Sequence, residues 1–353
     1  MNYIGTDALE KLEVWLKQKK NQGACFFILV DNNTDKHCLP LLLKNCKTLK
    51  KASVVSVKSG EENKTIQVCT EIWRGLIAAG AKRSDLLINL GGGVITDIGG
   101  FAASVFKRGI EFINIPTTLL SQVDASFGGK TGIDLDSLKN EIGLFNNPAL
   151  TVIYPDFLRT LPDREFSSGY AEIIKHALIA DSRYWKQILK TGPKAELKNN
   201  LLLADIVRSV QLKTKIVNKD PREKGYRKIL NFGHSVGHAL ESYFLNKGAK
   251  KVLHGEAVAA GMICESWLSH KRAGLSLASL SEINRFIRLH YPELKFSKKE
   301  YGQLIGLMQH DKKNKGKELN FTLLSKIGGA RFDQTCTAEL IMRSFDYYHE
   351  QYK

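Results

Sequence analysis

Residues 85–109, DLLINLGGGVITDIGGFAASVFKRG, constrain the fold of this chain more than any other stretch. A short apolar run passes through three consecutive glycines directly into a segment with helical periodicity, which is how a strand–turn–helix unit opens. Further short apolar runs, ACFFILV, KASVVSV, FINIP and LTVIYP, surround it, each with the length and β-branched content of a parallel strand buried on both faces. Between them KTIQVCTEIWRGLIAAG reads as a helix ending at a glycine cap. This alternation predicts a Rossmann-like doubly wound α/β domain over residues 1–155.

Beyond Pro155 the pattern changes. SGYAEIIKHALIAD, LLLADIVRSVQLKTKIVNKD, HGEAVAAGMICESWLSHKR and LSEINRFIRLHY all carry helical spacing with few strand signals. An all-helical C-terminal domain over residues 156–353 is expected, with the boundary near YPDFLRTLP, whose prolines interrupt helices. The 353 residues, 43% of them hydrophobic, suffice for two such cores.

No apolar run approaches the roughly 20 residues of a membrane helix, and the opening MNYIGTDALEKLEVW lacks a secretion signal, so the expected address is the cytoplasm. The six cysteines stand singly, without CxxC pairs, which argues against a disulfide framework or a thiolate metal site. The formal charge of +16 fits either nucleic acid or an acidic small substrate. The lysine clusters KQKK, KTLKK, GAKK and KKNKGK are scattered and lack interleaved aromatics, so they read as solvated faces and no nucleic-acid partner is expected.

The glycine turn at Gly91, Gly92 and Gly93 suits a pyrophosphate. Glycine allows close backbone approach, and the following helix N-terminus offers unpaired N–H groups and a favourable dipole. The spacing is not GxGxxG, and a tight connection without a ligand also accounts for it. After the next strand, PTTLLSQVDASFGGKTGIDLDSLKNEIGLF places Thr117, Thr118, Asp124, Lys130 and Lys139 in what reads as a long polar loop, a common carrier of function.

The helical half offers Glu172, His234, His238 and His254 as candidates for a histidine–carboxylate metal site. His234 and His238, four apart in NFGHSVGHALES, lie one turn apart on a helix. They read as two ligands of one metal, as one ligand and one acid–base group, or as ordinary core histidines. The glutamate of an HExxH motif is absent, Ser235 standing in its place. Lys175, Lys213, Arg227, Lys312 and Lys313 supply cations in the same half, and Lys175 follows Glu172 by three residues, so both can share a helical face. Metal, nucleotide turn and cations together suggest a phosphorylated, polyhydroxylated substrate.

Taken in order, GGGVITDIGGFAAS, PTTLLSQVDASFGGKTGID, LKNEIG, SGYAEIIKHALI, NFGHSVGHALE and HGEAVAAGM resemble the 3-dehydroquinate synthases, over about residues 24–330. The resemblance implies an NAD-binding α/β domain, a helical metal- and substrate-binding domain, and a homodimer. The reaction it implies converts 3-deoxy-D-arabino-heptulosonate 7-phosphate to 3-dehydroquinate, with NAD and a divalent metal, zinc or cobalt. Transient oxidation at C5, elimination of phosphate, return of the hydride and an intramolecular aldol closure make up that reaction, so NAD is regenerated.

Under the resemblance Glu172, His234 and His254 match the metal ligands, and His238 a substrate or water-relay position. Lys130, Lys139, Asn140, Lys175, Lys213, Arg227 and Asn231 match positions that hold the substrate's carboxylate, hydroxyls and phosphate, joined by Lys312 or Lys313. Arg108 resembles an arginine that reaches the neighbouring subunit's phosphate site. For NAD, the implied contacts are Asp31 or Asn32, Glu61, Lys64, Gly92, Gly93, Val94, Asp97, Thr117, Thr118 and Asp124, with Lys130, Lys139, Phe157 and Thr160 bordering the cofactor. Tyr170 and Asp134 depart from commoner family residues without removing a ligand.

Three rivals remain at this stage. Another sugar-phosphate cyclase would close sedoheptulose 7-phosphate or glucose 6-phosphate. A polyol dehydrogenase of the glycerol dehydrogenase type would share the architecture but release reduced cofactor stoichiometrically. A basic nucleic-acid-binding protein would explain the charge but not the metal constellation.

Overall fold

The computed structural model describes residues 1–135, 138–193, 200–246, 252–310 and 319–353. The chain divides into two compact units, Met1–Pro162 with Leu197–Val210, and Asp163–Glu196 with Gln211–Lys353.

The first unit runs β1 (Asn2–Ile4), α1 (Ala8–Asn21), β2 (Phe26–Asp31), α2 (Asn32–His37), α3 (Leu39–Asn45), β3 (Ser53–Val57), α4 (Ile66–Ala78), β4 (Leu86–Gly91), α5 (Gly93–Val105), β5 (Glu111–Pro116), β6 (Lys130–Leu135), β7 (Leu138–Phe145) and β8 (Leu150–Ile153). Six strands form one parallel sheet in the order β1-β8-β5-β4-β2-β3. The five apolar runs of the sequence are β2, β3, β4, β5 and β8 of that sheet.

The inner strands β2, β4, β5 and β8 are largely apolar because both faces are covered. Phe26, Ile28 and Val30 of β2 join Leu86, Ile88 and Leu90 of β4 in a cluster with α1 and α3, while Phe27, Leu29 and Leu87 enter a second cluster with α4 and α5. Each such fully buried side chain contributes roughly 1.5–3 kcal/mol. From β2 the chain steps outward to β3, then crosses back over β2 to β4 and continues through β5 and β8 to the opposite side. The order therefore reverses between β2 and β4, and the carboxyl ends of those strands are where such sheets receive ligands.

The stretch expected to be a long loop contains a single π-turn, Ser121–Ala125, and then the antiparallel hairpin β6–β7, with Gly132 opposite Gly143. Its strands carry glycine, lysine and aspartate among few apolar residues, so the two-residue period of a half-buried strand is hard to see in the sequence.

The second unit, together with the helix that begins in Leu197–Val210, contains α6 (Asp163–Ala180), α7 (Ser182–Thr191), α8 (Asn200–Lys219), α9 (His234–Asn246), α10 (His254–Arg272), α11 (Leu277–His290), α12 (Tyr301–His310), β9 (Leu319–Lys326), β10 (Gly329–Cys336) and α13 (Ala338–Glu350). Its centre is α10, buried from Gly255 to Ser269 and packed by α6, α9, α11, α13 and β9. A helix apolar on all sides, as in AVAAGMICESWLS, has to sit inside its unit. The helical character expected of this half is present, with one addition, the hairpin β9–β10, which turns at Gly328 with φ +82°. No described helix is long and apolar enough to cross a membrane.

Candidate active site

Glu172 lies on α6 and is fully buried; His234 and His254 are the first residues of α9 and α10. Two glycines bring these three helices together. Gly255 donates its N–H to Ser168 Oγ at 2.9 Å, and a Cβ there would collide with the Ser168 carbonyl, so α10 starts directly against α6 one turn before Glu172. Gly233, at φ +80°, holds a left-handed turn against α10, where a Cβ would strike Met262 and the Val258 carbonyl.

The result is a compact donor set. Glu172 Oε1 is 3.6 Å from His234 Nε2 and 3.7 Å from His254 Nε2, and one ligand atom from each residue lies within 4.8 Å of the others. His238 follows one turn after His234, its ring 5.1 Å from the ring of His234 and 6.0 Å from that of His254, but it is outside the trio. His234 is thus in the donor set and His238 beside it, an arrangement compatible with one ligand and one acid–base group.

Electrostatics separate the two imidazoles. Burial and the ammonium of Lys175 hold His234 well below the ordinary 6.5, against the pull of Glu172. Burial also acts to lower His254, but the carboxylates of Glu241 and Glu172 outweigh it and raise the ring to about 10. One ring is therefore neutral with a lone pair available, and the other holds a proton between two carboxylates, where a cation would serve the same charge balance. A carboxylate with two imidazoles is a donor set suited to a borderline divalent ion such as zinc or cobalt. Lys175, also buried, ion-pairs with Glu172.

Further residues expected to hold the substrate belong to the same unit. Lys213 and Arg227 are buried, Arg227 donating from Nη1 to the Pro221 carbonyl at 2.8 Å. Asn231 Nδ2 donates to Glu223 at 2.8 Å. Lys312 and Lys313 lie outside the described residues.

Two family models match in tandem, 3-dehydroquinate synthase N-terminal over residues 54–168 and 3-dehydroquinate synthase C-terminal over residues 169–314. The chain belongs to the 3-dehydroquinate synthase family. A 3-dehydroquinate synthase of Parabacteroides distasonis is 46% identical over 92% of this chain and 92% of its own length, and one of Pelagibacter ubique is 38% identical over 92% and 89%. Among solved structures, a 2-epi-5-epi-valiolone synthase of Streptomyces hygroscopicus with NAD+ and Zn2+ bound is 28% identical with TM-score 0.84, covering 93% of this chain and 91% of that one.

The residues expected on the nucleotide side lie in the first unit. Gly92 caps α5 at the carboxyl end of β4, followed by Gly93 and Val94, and Thr117 donates its N–H to the Gly91 carbonyl at 3.0 Å. Thr118 bonds Ser121 through both hydroxyls at 2.9 Å, and Asp124 lies in the π-turn. Lys64 is buried with Nζ 2.6 Å from Asp97 and 2.5 Å from Asn140, while Lys139 pairs with Glu61 at 3.4 Å. Burial works to lower Lys64, yet Asp97 and Glu61 overcome it and hold the ammonium above 10.5. Asn140, expected on the substrate side, thus sits with Lys64 in a left-handed conformation at φ 55°.

Several expected contacts have local structural duties. Asp31 caps α2, accepting from the N–H groups of Asn33 and Thr34 at 2.8 Å, while Asn32 accepts from Ser59 at 2.8 Å. Phe157 belongs to the apolar cluster under the sheet, edge-on to Tyr154, and Thr160 is exposed at the end of the same turn. Lys130 opens β6 and is exposed. Arg108 is exposed on a turn where Lys107, Arg108 and Gly109 all have positive φ.

Sequence reasoning missed four carboxylates: Glu223, which accepts from Asn231, and Glu241, Glu256 and Glu265, which hold the starts of α9 and α10. Glu256 receives Arg164 at 2.6 and 2.7 Å and the Leu253 N–H at 2.9 Å, fixing the first turn of α10. Glu241 had a readable signal, standing seven residues after His234 and so on the same helical face. Glu265, in the middle of an apolar helix, had none.

Proposed function

We propose that this chain converts 3-deoxy-D-arabino-heptulosonate 7-phosphate to 3-dehydroquinate with release of inorganic phosphate, using NAD as a regenerated cofactor and a zinc or cobalt ion. The observation that carries the reading is the Glu172–His234–His254 donor set in a chain of this family. Residues 1–155 serve as the NAD-binding domain and 156–353 as the metal- and substrate-binding domain.

The β4–α5 turn receives the pyrophosphate on backbone N–H groups, with Glu61, Lys64, Asp97, Thr117, Thr118 and Asp124 around the rest of the cofactor. When bound, NAD supplies reversible hydride acceptance and the cation supplies Lewis acidity toward neighbouring substrate hydroxyls. The chain's own residues do the remaining work. Lys175, Lys213 and Arg227 are buried cations suited to a substrate carrying both carboxylate and phosphate, because charge-assisted hydrogen bonds strengthen away from water. Asn231 orients substrate hydroxyls, and His238, exposed beside the two ligand histidines, relays protons.

The active form is a cytoplasmic homodimer in which Arg108 reaches the phosphate site of the neighbouring subunit. Its exposure on a left-handed turn supports that role. No nucleic acid or membrane is a partner. The test is a substrate panel in the presence of NAD and zinc or cobalt. Phosphate release from the seven-carbon keto-acid phosphate is expected, and release only from sedoheptulose 7-phosphate or glucose 6-phosphate would replace this reading with a sister cyclase.

A further inference from the structure

The two helices that carry the histidine ligands hold each other's first turns. Glu265 of α10 accepts from the N–H of Gly233 at 2.6 Å and of Val236 at 3.1 Å, which ties the start of α9, and His234 with it, to the body of α10. In the opposite direction Glu241 of α9 places Oε2 3.2 Å from Nδ1 of His254, the first residue of α10. Neither carboxylate is a member of the donor trio.

This arrangement selects the tautomers of the rings when they act as ligands. An ionised carboxylate only accepts, so Nδ1 of His254 must carry the proton, leaving the lone pair on Nε2. Nε2 is the atom that faces Glu172, at 3.7 Å. His234 reaches the same tautomer by another route, its Nδ1 lying 3.1 Å from the Phe232 carbonyl, also an acceptor. The two rings therefore differ in what stands behind them, a neutral carbonyl for His234 and a charged carboxylate for His254. A carboxylate behind an imidazole fixes its orientation and raises its basicity as a ligand.

We infer that Glu241 is a positioning residue for the cation site: it holds the His254 ring with Nε2 toward Glu172 and makes that imidazole the stronger donor of the pair. The inference rests on the proposed reading of Glu172, His234 and His254 as a cation site, and deepens it. Glu241 lies outside the donor trio, behind His254. Its effect on the site is inferred to pass through His254.

The test measures Co2+ affinity by chelator competition in the purified full chain, for wild type and for Glu241→Gln, Glu241→Ala and Glu172→Gln, with far-UV circular dichroism as the check on folding. Gln keeps an acceptor oxygen but loses the charge; Ala loses both. Affinity is expected to fall about tenfold in Glu241→Gln and about 100-fold in Glu241→Ala, the range for loss of an outer-shell partner, with the helical signal unchanged. In the Zn2+-loaded protein, long-range 15N correlation should find the His254 proton on Nδ1 in wild type and a mixed state in Glu241→Ala. Wild-type affinity in Glu241→Ala, while Glu172→Gln loses Co2+, would overturn the inference and leave the cation site standing. Unchanged binding in Glu172→Gln as well would overturn the cation site itself. Should Glu241→Ala lose its fold, Glu241→Gln decides, and wild-type affinity there overturns the inference.

Discussion

Glu172 Oε1 stands 3.6 Å from Nε2 of His234, inside a unit where Glu172 is fully buried. Lys175 and the proton on His254 balance this buried carboxylate in the chain alone, and a divalent ion would supply the same charge in place of that proton. Glu172→Gln is therefore expected to weaken Co2+ binding by about 100-fold or more, since a ligand contributes at least as much as its outer-shell partners. Treatment with a chelator should abolish turnover in wild type, and added zinc or cobalt should restore it there but not in the variant. Metal content and phosphate release, measured on the same samples, check both.

The Lys64–Asp97 pair gives a pH-dependent expectation. Lys64 is held above its ordinary 10.5, so the pair's contribution is fully present below pH 10.5 and is lost as pH rises through the folded value. Asp97→Asn should lower unfolding free energy at pH 7 by about 2 kcal/mol, discounted from the roughly 3–5 kcal/mol of a fully buried pair because Asp97 keeps some water contact. Denaturant titrations at pH 7 and pH 11 should show the gap between wild type and variant narrowing at the higher pH.

Burial raises the thiols of Cys38, Cys46 and Cys69 from 9.0 to about 12, while Cys25 is exposed. Iodoacetamide at pH 8 should label Cys25 alone in the native protein and all six cysteines after denaturation, as mass spectrometry would read. The same shifts carry a stability sign. Between pH 9 and 12 the unfolded chain releases thiol protons that the folded chain keeps, so stability should fall as pH rises through that window.

Arg108 allows a complementation experiment. Arg108→Ala should lower kcat/KM by about 10- to 100-fold, from the roughly 1.5–3 kcal/mol of a hydrogen bond to a charged group, chiefly through KM. Mixing Arg108→Ala with Glu172→Gln subunits and allowing exchange should then regain activity, because one of the two sites in a mixed dimer has both residues intact. No regain on mixing would place Arg108 in its own subunit's site.

The sheet was legible because β2, β4 and β5 are apolar on both faces, which leaves few alternatives for runs of that length. Glu172, His234 and His254 could be picked out by residue type, but their meeting depends on Gly255 and Gly233, whose close approaches are invisible until the helices are packed. The hairpin β6–β7 escaped notice because its strands mix glycine and charge with apolar residues, while in β9–β10 the alternation of Leu319, Phe321 and Leu323 with Asn320 and Thr322 was a readable strand signal that helical spacing on either side obscured. Glu241 was missed despite its seven-residue spacing from His234, and Glu265 because nothing in an apolar helix marks the N–H groups it will meet. On an amphipathic helix such as α9, Glu241 reads in sequence like any solvated glutamate.

The most direct test of the account follows inorganic phosphate and dehydroquinate together as the purified chain, with a catalytic amount of NAD and zinc or cobalt, acts on 3-deoxy-D-arabino-heptulosonate 7-phosphate. The account predicts the two products in equal amounts, many turnovers per NAD and no net NADH. Stoichiometric NADH without phosphate release would contradict it, and would make the chain a polyol dehydrogenase on the same scaffold.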